Sequence, residues 1–183
     1  ARCAPMLRTR NLLYTAVTRA ARMVILVGRR DILAEMVENG VEYCALEASS
    51  QALAQFRLYG EQFEIGIFTN LGHDHIGPNE HASFEEYAEC KGMLFKQCKV
   101  GIANADDENF EMVMKDHTCT LETIGFSEKA DLRANDVKLV SSPGHLGVAY
   151  QASGLLNFDV EIDIPGTFSV YNSLTAIAVC RHF

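Results

Sequence analysis

No apolar run in this sequence approaches the roughly 18 to 20 residues needed to cross a bilayer, and no secretory succession of basic, apolar and small residues opens it. Both absences argue against a membrane partner, and the cytoplasm is the expected compartment. No C-x-x-C pair occurs. The six cysteines (Cys3, Cys44, Cys90, Cys98, Cys119, Cys180) fall at irregular spacings, which disfavours a zinc ribbon or a dithiol redox motif and predicts reduced, mostly buried thiols. No G-x-x-x-x-G-K-[ST] phosphate loop is present. Internal repeats and low-complexity tracts are absent as well. Residues 1–40 contain no lysine, only seven arginines against three acids, a net charge of +4, whereas residues 41–183 carry nine basic and 21 acidic residues, a net charge of −12. Such asymmetry can mark a nucleic-acid-binding arm, but here the basic part is patterned as folded structure.

At 183 residues and 48% hydrophobic, the chain is long and apolar enough to bury one sizeable core. Asn11 is placed to cap a helix through Arg22, "MVILV" (23–27) reads as a buried strand, and "DILAEMVEN" (31–39) reads as a helix closed by Gly40. Alternation then continues with strand 41–47, helix 50–58, strand 64–70, a helix opened by Ser83 with Glu86 as capping-box partner, strand 99–104, helix 107–115 and strand 119–125. This spacing predicts an α/β fold with a parallel sheet flanked by helices. After about residue 130 the segments "DLRANDVKLV", "HLGVAYQA" and "LLNFDVEIDI" predict a small antiparallel β region, followed by a last helix, "FSVYNSLTAIAVC".

Between residues 70 and 95, "NLGHDHIGPNEHASFEEYAECKGMLF" gathers His73, His75, His81 and Lys91 among several carboxylates. On the helix from Ser83, the residues Phe84, Tyr87, Ala88, Lys91, Leu94 and Phe95 share one stripe by helical spacing. Lys91 therefore lies on the apolar face. Its stem can pack there while its ammonium reaches water or a carboxylate. Alternatively, desolvation lowers a lysine pKa, and the neutral amine can then capture carbon dioxide as a carbamate, an anion able to orient a hard cation.

The stretches "EYCALEASSQALAQFRLYGEQFEIGIFTNLGHDHIGPNEHASFEEYAECKGMLF", "GIANADDENFE" and "IPGTFSVYNSLTAIAVC" resemble, in order, the central domain of the Mur ligases, in the branch of the UDP-N-acetylmuramoyl-tripeptide synthetases. The resemblance runs from about residue 38 to residue 183 and implies an ATP-dependent acid–amino-acid ligase of peptidoglycan precursor synthesis. It casts Lys91 as the family's carbamylated lysine, with Glu47 and His75 as magnesium ligands. Ser49 and Arg57 fall where the family holds the UDP-N-acetylmuramoyl-peptide, and Asn172 falls near the adenine of ATP. Without the resemblance, Glu47 is a strand-end carboxylate, His75 a loop histidine, Ser49 a helix cap and Asn172 a polar helix residue; Asp106 and Asp107 of "NADD" suggest a turn and a helix start. The implied co-reactants are Mg2+ and ATP. Departures from the family pattern are the missing phosphate loop, and Thr167 and Ser169 in the positions of arginine and asparagine in "PGRFN".

Within residues 1–40, the stretch "RNLLYTAVTRAARMVILVGRRDILAEMVEN" (10–39) resembles instead the end of superfamily-one DNA helicases, in which Arg19 would reach the ATP phosphates. The chain is accordingly expected to join a helicase-like segment, 1–40, to a truncated ligase domain, 41–183, as a chimera or misjoined fragment that is inactive alone. Two function classes follow: a fragment of a peptidoglycan ligase, or a nucleic-acid motor fragment. Nucleic acid is expected as a partner only if the helicase-like segment dominates. A module that grips nucleotide without turnover is a third class.

Overall fold

The structure is a computed structural model that describes residues 43–72, 76–77 and 81–183. The chain divides into two compact units, Ala1–Ala48 and Ser49–Phe183. Of the first, only residues 43–48 are described, so the helices and strand read at 11–39 lie outside the described residues, as does Arg19. Among residues 43–48 there is no strand, only an isolated bridge at Ala45, where the pattern predicted a strand over 41–47. An apolar run shows only that a segment suits a sheet; pairing decides whether it joins one.

The second unit opens with α1 (Ser50–Ala54), then β1 (Phe63–Phe68), α2 (Phe84–Gly92), a 3-10 turn (Met93–Lys96), β2 (Cys98–Asn104), α3 (Phe110–Met114), β3 (Thr120–Gly125), β4 (Leu132–Ser142), β5 (His145–Gly154), β6 (Phe158–Ile162) and α4 (Thr167–Cys180). The six strands form one sheet in the order β1-β2-β3-β4-β5-β6. Pairing is parallel from β1 to β4 and antiparallel from β4 to β6. The α/β parallel sheet with a small antiparallel region is the architecture that the sequence pattern predicts.

Two helices are shorter than their periodicity suggests. The predicted helix 50–58 stops at Ala54, because Phe56 takes a left-handed φ of 52° that no right-handed helix can continue. The predicted helix 107–115 begins only at Phe110, because Asp107 turns its carboxylate onto the amides of Asn109 and Leu71 instead of entering the helix.

Side chains alternate along β2. Ile102 faces a core shared with Ile124, Leu132, Val148, Tyr150 and α4, through Val170, Leu174 and Ala178. Ala103, the next residue, faces the opposite core, shared with α2 and α3 through Tyr87, Ala88, Phe95 and Val113, in which Cys98 at the first position of the strand also packs. Helices thus cover both faces of the parallel strands, as buried parallel sheets require. The last residues of β3, Ile124 and Gly125, pair with the first of β4, Leu132 and Arg133. The rest of β4 therefore runs beyond the carboxyl end of β3 and carries the β4–β5–β6 meander past that end of the parallel strands.

Candidate functional site

In open α/β sheets, ligands bind where the strands end at their carboxyl termini. Here those ends are knitted together by side chains of the "NADD" turn. Asn104, buried at the end of β2, donates to the carbonyl of Thr69 beyond β1 at 2.9 Å and accepts from the amide of Asp106 at 3.0 Å. Asp107 Oδ2 accepts from the amide of Leu71 at 3.0 Å. Asp106 turns the other way: Oδ2 accepts from the amide of Phe126 at 2.5 Å and Oδ1 from that of Ser127 at 3.1 Å, both just past β3. The hydroxyl of Tyr171, on α4, donates to Asp106 Oδ2 at 3.0 Å. Burial first, and then the hydrogen bond and charge of Asp106, push the Tyr171 phenol up to about 12. Asn172, the next residue on α4, is exposed.

A second cluster lies on the α2 side of the sheet. Ser83 caps α2 by accepting the Glu86 amide at 3.2 Å, and Glu86 returns a carboxylate to the Ala82 amide at 2.8 Å. The expected capping pair is thus present, with the return bond displaced by one residue. This start sets the phase that puts Tyr87 and Ala88 in the core and leaves Lys91 half-buried on the same stripe. The Lys91 ammonium stands 5.9 Å from the centre of the Tyr87 ring. Against Tyr87 lies His81, 3% exposed, with ring centres 5.2 Å apart and planes 28° from parallel. His81 Nε2 is 2.8 Å from the hydroxyl of Ser50, itself buried in the first turn of α1.

Ser49 is the N-cap of α1; its hydroxyl accepts from the Ala52 amide at 3.2 Å and the residue is exposed. Arg57 lies in the turn after α1, where its guanidinium holds Gln55 Oε1 through Nε at 2.9 Å and Nη2 at 2.5 Å. Glu47 is exposed and belongs to the first unit. His75 lies outside the described residues. Among the described residues no three histidine, cysteine, aspartate or glutamate side chains gather as a metal site, and no described helix is long and apolar enough to cross a membrane.

Of the residues singled out from sequence, the structure links Ser49 and Lys91 through the contacts of Ser50, His81 and Tyr87, and sets Asn172 beside the Tyr171–Asp106 bond. Sequence reasoning left His81 without a role, read Asp106 only as a turn residue, and gave no part to Ser50 or Tyr171. The signal for each is a partner 31 or 65 positions away, which no local spacing reveals.

Comparison with known proteins places this geometry. The model of the Mur ligase middle domain matches residues 11–180. The chain belongs to this family. The Mur ligase match takes in most of the stretch likened above to a helicase end. A UDP-N-acetylmuramoyl-L-alanyl-D-glutamate--2,6-diaminopimelate ligase of Clostridium acetobutylicum is 41% identical over 149 residues, covering 81% of this chain and 30% of the relative. A ligase of the same name from Listeria monocytogenes is 35% identical over 153 residues, again 30% of its length. Among solved structures, another ligase of that name superposes with a TM-score of 0.74 at 25% identity, covering 94% of this chain and 40% of its own. A murein peptide ligase from Psychrobacter arcticus, at 16% identity and a TM-score of 0.53, shares the fold. The chain thus spans about a third of the length of the curated relatives it matches.

Proposed function

We propose that this Mur ligase domain serves, in the cytoplasm, an ATP-dependent ligase that joins an amino acid to UDP-N-acetylmuramoyl-L-alanyl-D-glutamate, the substrate in its relatives' names. The observation that carries the reading is the 41% identity over 149 residues, in a chain whose match to the family model, residues 11–180, takes in Ser49, Lys91, the "NADD" turn and Asn172. ATP transfers its terminal phosphoryl group to the substrate carboxylate and leaves as ADP, and the amine of the incoming amino acid then attacks the acyl phosphate, losing a proton and releasing phosphate as the amide forms.

Within that reaction Lys91 acts as a captured-carbon-dioxide ligand. Its neutral amine forms a nitrogen–carbon bond to carbon dioxide and loses a proton, giving a carbamate anion. The Lys91 ammonium stands over the Tyr87 ring, a contact worth about 0.5–1 kcal/mol for a partly exposed pair. Carbamate formation therefore competes with that contact and depends on the bicarbonate concentration. Ser49 and Arg57 are assigned to the UDP-N-acetylmuramoyl-peptide and Asn172 to the adenine. Glu47 and His75 stay assigned to Mg2+ on the family resemblance. The described side chains do not gather a metal set, so no step is drawn through the ion. The division at residue 40 and an Arg19 contact to nucleotide are likewise proposals that rest on likeness alone.

The test is a domain exchange. Residues 11–180 replace the corresponding span of the Clostridium acetobutylicum ligase, and amino-acid-dependent release of phosphate from ATP is measured with UDP-N-acetylmuramoyl-L-alanyl-D-glutamate. Retained turnover that is lost with Lys91→Ala is the expected result. A folded exchange protein that turns over equally well with and without Lys91 would sink the assignment.

A further inference from the structure

Three ring and hydroxyl contacts reach from α1 to Lys91, and none of them belongs to the residues assigned above to substrate, metal or nucleotide. Ser50 follows the capping residue Ser49 and is buried, its hydroxyl 2.8 Å from His81 Nε2. A buried hydroxyl and a buried imidazole each lose water on folding, so this mutual bond is the partner that each requires. The bond also fixes the imidazole plane, because one ring nitrogen is tied to a helix whose own first turn is held by the Ser49 cap. The held plane lies against Tyr87 in a stacked arrangement, 5.2 Å between centres. Tyr87 is confined on another side by the edge of Phe84, 6.3 Å between centres and 73° between planes. A further contact is the Lys91 ammonium one helical turn on. A helical lysine has four rotatable side-chain bonds, and a ring fixed beneath its head selects among the rotamers.

We propose that His81, pinned by Ser50, is a positioning residue that holds the Tyr87 ring and thereby fixes where the Lys91 nitrogen stands. The proposal deepens the assignment of Lys91 made under the proposed function, but its content is the location of that amine rather than the chemistry performed on it. A consequence is that α1, which carries the substrate-side Ser49, and α2, which carries Lys91, do not shift independently. A change in the orientation of α1 reaches the lysine through two rings.

The experiment uses the 183-residue chain with its lysines dimethylated by carbon-13 formaldehyde and a hydride reductant. The Lys91 methyl signal is assigned by its loss in Lys91→Arg. In the unaltered chain the Tyr87 ring current displaces this signal from those of the exposed Lys96 and Lys99. In His81→Ala and in Ser50→Ala the displacement is expected to shrink toward the position of those two lysines, while thermal unfolding shows that each variant is folded. A Lys91 signal that keeps its displacement in a folded His81→Ala chain overturns the proposal. Should that variant fail to fold, Ser50→Ala, which removes only a hydroxyl, decides on the same reading. Incorporation of carbon-13 bicarbonate at Lys91 is scored separately: a chain that takes up no label counts against the carbamate, and the methyl displacement still decides the positioning role.

Discussion

The hydroxyl of Tyr171 donates to the carboxylate of Asp106 at 3.0 Å, tying the last helix to the turn that closes β2. Phe126, whose amide also serves that carboxylate, meets the Tyr171 ring edge-on at 4.8 Å. A loop, a helix and a strand end are thus joined at one carboxylate. Tyr171→Phe keeps the ring contact and removes the hydroxyl, at an expected cost of about 1 kcal/mol. The pH dependence has a definite sign. The folded phenol titrates at about 12, above an ordinary tyrosine near 10, so the folded state favours the protonated form. That stabilisation is fully present below about pH 10 and is lost as pH rises through about 12. Urea unfolding at stepped alkaline pH should show a steeper loss in the unaltered chain than in Tyr171→Phe. Tyr150, also raised by burial, is common to both chains and cancels in the difference. Equal slopes would show that Tyr171 does not carry the effect.

Gly125 faces the same carboxylate. A Cβ built there lies 2.7 Å from Asp106 Oδ2 and 2.9 Å from its Cγ. Gly125→Ala should therefore destabilise by about 1–3 kcal/mol, the range for forcing extra atoms into a packed site. Asp106→Ala alone should cost about 2 kcal/mol, because the amides of Phe126 and Ser127 lose their acceptor. Combined, the two should cost less than the sum, since the shorter side chain leaves room for the new methyl. Strict additivity in a double-mutant cycle by urea unfolding would show that the clash is relieved elsewhere.

These relationships mark the limit of what could be read from sequence. The parallel sheet was legible because Ile65, Val100, Ile102 and Ile124 recur in short apolar runs separated by helical periodicities. The phase of α2 was legible because Ser83 and Glu86 announce its start and Phe84, Tyr87, Ala88 and Lys91 repeat at helical spacing. What escaped is set by distance along the chain. Nothing near His81 points to Ser50, and nothing near Asp106 points to Tyr171. Helix ends escaped for another reason: Phe56 falls inside the predicted helix 50–58, yet its left-handed backbone ends α1, and Asp107 reads as a helix start, yet it bonds Leu71. Local periodicity cannot register a competitor supplied by tertiary structure.

The buried thiols are predicted to be inert. Cys98 is pushed up to about 12, first by burial and then by the neighbouring Cys119 thiol. Burial likewise raises Cys90, with Glu86 and Glu89 adding to it. Since the thiolate is the reactive form, iodoacetamide near neutral pH should label exposed Cys44 and Cys180 quickly. Cys90, Cys98 and Cys119 should label only with global or subglobal opening, their rates rising with urea. Peptide mass spectrometry after timed quenching reads each site. Labelling of Cys98 in native buffer at the rate of Cys180 would contradict the packing described for β2.

A close approach between α2 and α3 tests the lysine's surroundings from a different side. At Gly92, the residue after Lys91, a Cβ would stand 2.6 Å from the carbonyl oxygen of Val113 on α3. That oxygen is backbone and cannot rotate aside, so Gly92→Ala must push α2 away from α3. Alanine's better helix propensity returns about 1 kcal/mol, against a packing cost of about 1–3 kcal/mol. The net expectation is a loss of up to about 2 kcal/mol, whereas Glu89→Ala, on the exposed face of the same helix, should stay within about 0.5 kcal/mol. Because Phe95 and Tyr87 pack in the same core, the displacement should also carry Lys91 with it. Carbon-13 bicarbonate labelling of Lys91 in Gly92→Ala should therefore fall well below that in Glu89→Ala, measured at a temperature where both chains are folded. A Gly92→Ala chain as stable as the parent and labelled to the same extent would mean that α2 and α3 are not in the close contact described.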